Sequence, residues 1–142
     1  MNRVKEAFFM SIYEAFKEYG DIDLNHGDDH DLSKLDCDFI YVDVIGERQG
    51  SIGLLFDEAF EFILFDKLGI DDQPDELKDD FKKELLNVIA GRAISQLYPD
   101  MNVSIGFPEL TQQRPADFDD GMIFHFITDD NRSLWLSLKL PD

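Results

Sequence analysis

Four polar positions carry the most chemical information in this 142-residue chain: Asp80, Glu84, Asn87 and Gly91. At 100° per residue they share a sector of about 60° on one helix face, and Ser95 extends the row. The segment around them is apolar over most of its circumference, from Leu85, Leu86 and Ile89 to Ala93, Ile94 and Leu97. A helix that apolar is packed on several sides, so its narrow polar stripe must face water or a partner. The stripe sets a carboxylate one turn from a carboxamide, with a glycine one turn further on. Gly91 inside a helix costs about 1 kcal/mol relative to Ala. That cost makes sense where another backbone or a bulky group comes close. The plainer alternative is a solvated helix face whose glycine serves helix–sheet packing.

Other reactive side chains offer less. His26 and His30, four apart in an acidic run, would chelate a divalent cation only if they shared a helix face. The run has little helical pattern, and no metal site is expected. His125, between Phe124 and Phe126, reads as a core or sheet-face histidine. Cys37 has Asp36 and Asp38 beside it, and neighbouring carboxylates disfavour a thiolate nucleophile. Most of the 13 phenylalanines are core filler, although Phe8-Phe9 and the Phe60–Phe65 helix leave candidates for a dimer interface.

The charge balance excludes whole classes of function. There are 31 Asp+Glu against 13 Lys+Arg, a formal net charge of -18. Nucleic-acid binding needs the opposite surplus, and so does docking on an anionic membrane. No apolar run approaches the ~20 residues of a membrane span. The N-terminal residues lack the continuous apolar region of a secretory signal. A single cysteine cannot form an internal disulfide, and a cytoplasmic location is expected.

The elements that must position the stripe follow from periodicity and punctuation. Val4, Phe8, Ile12, Ala15 and Phe16 predict an amphipathic helix over Val4–Tyr19, stopped by Gly20. Asp21–Asp36 reads as an acidic connection without a strand. Two strands, Asp38–Ile45 and Ser51–Phe56, flank a turn between Gly46 and Gly50. Asp57 is placed to cap a helix over Glu58–Leu68, ended by Gly69. Pro74 and Asp75 open the longest helix, which carries the stripe and runs to about Tyr98 before Pro99. A strand over Val103–Phe107 stops at Pro108, and a polar loop spans Thr111–Gly121. Two closing strands, Met122–Thr128 and Ser133–Leu140, join through the turn chemistry of Asp129-Asp130-Asn131-Arg132. In the last strand Leu134, Leu136, Leu138 and Leu140 predict one buried face. The order predicts a single α+β domain over 1–142, a mostly antiparallel sheet packed against long helices.

On these residues the chain resembles a known family. Asp80-Phe-Lys-Lys-Glu84-Leu-Leu-Asn87-Val-Ile-Ala-Gly91, followed by Pro108, is similar to the signature of the CheC/CheX/FliY chemotaxis phosphatases. The Asn-x-Ile-Ala-Gly run resembles CheX in particular. Twenty residues separate Asn87 from Pro108, slightly fewer than the family spacing. CheC-type members carry the motif twice; the first helix here has Glu6 and Glu14 without the matching Asn, so one site per chain is the CheX arrangement.

The resemblance implies hydrolysis of the phosphoaspartate of a CheY-type receiver domain, a response regulator. The receiver would supply the phosphorylated Asp, a Mg²⁺ and a Lys, so no cofactor of the chain's own is expected. Asn87 would then orient the attacking water, since a carboxamide is neutral, accepts through oxygen and donates through nitrogen. Glu84 would pair with the receiver Lys. Asp80, Gly91 and Pro108 would serve partner binding, with Pro108 shaping the loop beside the helix. The resemblance also implies a homodimer paired through the sheet, with the closing strands supplying the edge. The alternative is a non-catalytic acidic adaptor of the same fold that docks a signalling or flagellar-switch partner.

Overall fold

Alternation along the strands decides which face of the sheet meets the helices. In the computed structural model, which describes residues 2–29, 38–111 and 121–140, Ile40, Val42 and Val44 of β2 (Phe39–Gly46) join the main core. Their neighbours Phe39 and Tyr41 turn to the opposite face. β3 (Gly50–Phe56) repeats the pattern: Ile52, Leu54 and Phe56 face the helices, while Leu55 packs with Trp135 and Phe39 on the far side. Gly46, the last residue of β2, has φ 113°, a conformation that L side chains rarely adopt, and a Cβ there would run into the Asn102 carbonyl.

The sheet is antiparallel throughout the described residues. Its order is β1 (Asn25–His26), β6 (Met122–Ile127), β7 (Ser133–Lys139), β3, β2. Two short strands, β4 (Val103–Ile105) and β5 (Glu109–Thr111), then share the outer edge of β2. Three helices complete the fold: α1 (Asn2–Gly20), α2 (Glu58–Leu68) and α3 (Asp75–Leu97). The expected α+β architecture is the one observed. The anticipated apolar face of α1 is buried, with Val4, Phe8, Ile12, Ala15 and Phe16 all in the core. The β6–β7 turn places Asn131 at φ 65°, where Asn is among the residues that tolerate a left-handed backbone.

Four local expectations are corrected. The acidic connection contains a two-residue strand, β1, paired with Phe126 and Ile127; its residues 30–36, with His30, and the following Cys37 lie outside the described residues. Asp57 stands at the N-cap of α2, but its side chain makes no capping hydrogen bond; its carbonyl accepts from the Phe60 and Glu61 N–H groups instead. β7 is buried on both faces, Ser133, Trp135 and Ser137 as well as the leucines. It is also central, paired with β3 on one side and β6 on the other, so it has no edge to offer a second copy.

The fourth correction concerns the strand expected over Val103–Phe107, which ends at Ile105 and resumes after Pro108. Ile105 pairs with Val44 and Glu109 with Tyr41. Three residues, Gly106, Phe107 and Pro108, therefore stand opposite two, Asp43 and Val42, and the Gly106 N–H holds the Asp43 carbonyl at 2.9 Å. This is a β-bulge, and it shifts the alternation by one residue. Leu110 consequently packs toward the core, while Glu109 accepts a hydrogen bond from the Tyr41 hydroxyl on the far face.

Helix α3 is held from several directions. Its Leu85, Leu86, Ile89, Ala90, Ala93 and Ile94 are buried, and it packs on α1, β2, β4 and β5. The Ser11 hydroxyl donates to the Ile89 carbonyl at 2.7 Å, Arg3 donates to the Leu97 carbonyl, and Arg92 pairs with Glu18 at 2.9 Å. Lys82 is the unexpected member of the buried face, only 2% exposed. Its ammonium lies 2.8 Å from Glu61, 3.5 Å from Asp79 and 3.6 Å from Asp38, with the Phe56 ring centroid 5.9 Å away. Burial works against that charge, but the Glu61 hydrogen bond and the fields of Glu61, Asp38 and Asp79 outweigh it and raise the Lys82 pKa above its ordinary 10.5. Burial pushes the Glu61 carboxyl up, against its hydrogen bond to Lys82.

Replacing Lys82 by Met leaves Glu61 without its cation and is expected to cost about 3 kcal/mol at neutral pH. The double variant Lys82→Met/Glu61→Gln should recover part of that loss. Since the folded pKa of Lys82 is raised, its contribution is fully present below pH 10.5 and disappears as pH rises through the folded value. Urea denaturation of the wild type and both variants, at neutral pH and above pH 10.5, checks the direction.

Candidate functional site

The stripe lies where the helix pattern places it. Opposite the buried face of α3, Asp80, Glu84 and Ser95 are exposed, and Asn87 and Gly91 are half-buried. Asp80, Glu84 and Asn87 make no hydrogen bond or ion pair with any other side chain among the described residues. The contrast with their neighbours is sharp. Lys82, two residues before Glu84, has three carboxylates around it, and Arg92, one residue after Gly91, is taken by Glu18. A carboxylate and a carboxamide one turn apart are thus presented on a firmly packed helix with their polar atoms uncommitted.

The walls of the site differ on its two sides. Toward α1, Tyr19, Phe81, Leu85 and Val88 line a shallow dimple with Glu84 at its margin. The Tyr19 and Phe81 rings meet edge to face, with centroids 6.4 Å apart. Toward the sheet edge, α3 packs against β4 and β5, the two strands that bracket the bulge. Pro108 directly precedes β5, within the bulge on that edge. Gly91 admits no internal explanation: a Cβ there would meet nothing within 4 Å. Helix–sheet packing therefore does not account for it, and the space above it opens outward.

The remaining candidates serve structure. His125 is buried, and its ring stacks on Trp135 at 5.0 Å. Its Nδ1 faces the Asp28 carbonyl at 3.0 Å, so that nitrogen carries the proton, and Nε2 faces the Ser133 hydroxyl at 2.9 Å. His26 holds Asp29 at 2.7 Å, and its ring meets Phe9 edge to face. Among the described residues no group of three or more His, Cys, Asp or Glu side chains is placed to hold a metal ion. Two residues that the sequence reading passes over matter here. Lys82 gives no sign in an alternating charge pattern that it will be buried. Phe107 looks like the end of a strand but lies within the bulge, 94% exposed.

Comparison with known proteins bears directly on this arrangement. The family described as chemotaxis phosphatase CheX matches residues 39–123, more than half of the chain, including the whole stripe. The chain belongs to the CheX family. No curated protein matches it by sequence. Solved CheX structures share its fold at low identity. The CheX protein of Vibrio vulnificus is 15% identical with a TM-score of 0.79, over 97% of this chain and 96% of that one. The CheX–CheY–BeF3–Mg²⁺ complex from Borrelia burgdorferi matches at 19% identity and a TM-score of 0.73, over 96% of this chain and 97% of that one. The middle domain of FliM from Vibrio alginolyticus is more distant, at 12% identity and a TM-score of 0.61, over 98% of this chain and 92% of that one. No helix of the described residues is long and apolar enough to cross a membrane.

Gly91 provides a direct check on the outward-facing reading of the stripe. Because a methyl group meets no atom of the chain, Gly91→Ala should stabilise the fold by about 0.5–1 kcal/mol, the ordinary helical preference for Ala. Equilibrium denaturation measures this directly.

Proposed function

We propose that this CheX-family chain hydrolyses the phosphoaspartate of a CheY-type receiver domain in the cytoplasm. The observation that carries the reading is the pair Glu84 and Asn87, one turn apart on the outward stripe of α3 and without side-chain partners among the described residues. An acyl phosphate is reactive already, so the phosphatase has little covalent chemistry to supply. It must hold a water in line with the phosphorus and leave the charge there undisturbed. Asn87 does this without repelling the phosphoryl group. Water attacks phosphorus, the bond to the aspartate oxygen breaks, and the receiver recovers its carboxylate as inorganic phosphate leaves. Mg²⁺ and a Lys belong to the receiver. The BeF3–Mg²⁺ complex of a fold relative with CheY supports that division of labour.

Glu84 has a separate role. Aimed at the phosphate it would be repelled, whereas aimed at the receiver's Lys it fixes the register of docking. Asp80 adds a peripheral polar contact, Gly91 leaves room for the receiver backbone, and Pro108 shapes the wall beside α3. Two copies of the chain pair about a two-fold axis, and among the described residues the stretch of closing strand left for this is Met122–Phe124 of β6, since β1 covers Phe126 and Ile127, and Gly27 and Asp29 take the His125 backbone groups. Two chains of net charge -18 repel each other, so the dimer tightens as salt screens them. Light scattering across a salt series reads this, and a monomer mass in moderate salt at high concentration rules it out.

The second reading, an acidic adaptor without catalysis, draws on the likeness of the fold to the FliM middle domain. One pair of variants separates the readings. Asn87→Ala should lower the rate of phosphate release from acetyl-phosphate-charged receivers on the order of 100-fold and leave receiver affinity and folding intact. Glu84→Ala should cost about 2 kcal/mol of receiver affinity with no change in melting temperature, because Glu84 supports nothing in its own fold. An adaptor would bind the receiver and leave its phosphoryl lifetime unchanged in all three proteins.

A further inference from the structure

We propose that Phe107 is an apolar anchor for the receiver domain, held out by the bulge beside α3; the inference rests on the phosphatase reading above. Phe107 is 94% exposed, against 66% for Phe62, the next most exposed large apolar side chain among the described residues. Phe62 has the Arg132 guanidinium over its ring at 5.9 Å, whereas Phe107 makes no ring or cation contact among the described residues. A single exposed apolar residue is ordinary. The backbone that presents this one is not. Phe107 is the middle one of the three residues, Gly106–Pro108, that have no register partner on β2, and bulges at sheet edges re-aim side chains.

The bulge also stands at the right height along α3. The chain reverses within 98–102, where the Tyr98, Met101 and Val103 N–H groups each bond a carbonyl just upstream. β4 and β5 then track back along the helix they pack against. From Val103 to Phe107 the strand covers about 13 Å, the rise of roughly nine helical residues. For a strand antiparallel to α3 and starting level with Leu97, that rise corresponds to about the level of Val88. Charge identifies the occupant's need. A chain of net charge -18 that docks on the acidic active site of a receiver is repelled everywhere except at local pairs such as Glu84 with the receiver Lys. Residence must then come from uncharged contact area, and an aromatic ring that loses no internal packing when it docks supplies it cheaply in conformational terms.

The experiment compares wild type, Phe107→Ala and Phe107→Leu on each CheY-type receiver of the same genome, charged with acetyl phosphate. Affinity for the BeF3–Mg²⁺ form of the receiver and sedimentation mass are measured alongside. We expect Phe107→Ala to raise KM and the dissociation constant about tenfold with kcat and melting temperature unchanged, and Phe107→Leu to recover most of the affinity. This is the inverse of the Asn87→Ala signature, which lowers kcat at unchanged affinity. If wild type releases phosphate from a receiver and Phe107→Ala does so with KM within twofold, the anchor is overturned while the catalytic reading stands. A variant that changes the sedimenting mass and leaves KM alone assigns the ring to a second copy and overturns it too. If wild type accelerates release from none of the receivers, the phosphatase reading fails and the anchor with it.

Discussion

A lysine ammonium removed from water costs several kcal/mol unless it is paired, and Lys82 meets that demand with three carboxylates drawn from α2, α3 itself and the residue before β2. The consequence reaches beyond stability. Pairing fixes the rotation of α3 about its own axis, because Lys82 must point toward Glu61 and the Phe56 ring. At 100° per residue Glu84 is then turned about 160° away and Asn87 about 140° away. A helix with so much apolar surface has several near-equivalent ways to roll against a sheet. The buried charge removes that degeneracy, since any other roll would strand the ammonium in the core or expose the leucines.

Rigidity on one side of α3 permits freedom on the other. Ser11, Arg3 and Glu18 tie α1 to the helix at three heights, and the strip 103–111 supports the opposite flank. Among the described residues Glu84 and Asn87 therefore stay unpaired without cost to the fold, and the packed backbone of α3 sets their direction. A site that positions water gains from this arrangement, since misplacement by a fraction of a helical turn would forfeit the in-line geometry. The acidity of the chain fits the same scheme. Surface repulsion weakens indiscriminate association and leaves specific local contacts to decide which partner remains bound.

Much of this was legible in the sequence because hydrophobic spacing and punctuation agree with each other. The stripe, the five core positions of α1, the Gly46–Gly50 turn and the leucine row of β7 are all patterns whose period is fixed by backbone geometry. What escaped depends on partners distant in sequence. β1 is two residues long, and its strand character comes only from pairing with Phe126 and Ile127. The bulge at Gly106–Pro108 is defined by the register of β2, so Phe107 reads as a strand residue until its opposite number is known. Lys82 looks like one more charge on a charged helix start, and its burial follows from Glu61, twenty-one residues upstream. The proposed pair, Glu84 and Asn87, is legible through family resemblance joined to helical spacing; spacing alone is equally compatible with a solvated face.

The central place of β7 has a consequence for how the molecule is assembled. β3 reaches β6 only through β7, and the residues that pair across β3 and β7 are about eighty positions apart. Such long-range closure is slow compared with helix formation or the β2–β3 hairpin. During synthesis the leucine-rich side of α3 emerges before the strand that completes the sheet beneath it. For that interval β3 and β6 have no strand between them, and Leu54, Phe56 and Phe126 lack the Leu136 and Leu134 that pair with them. Nascent chains halted before residue 133 are the form of this protein most prone to self-association and most in need of a chaperone.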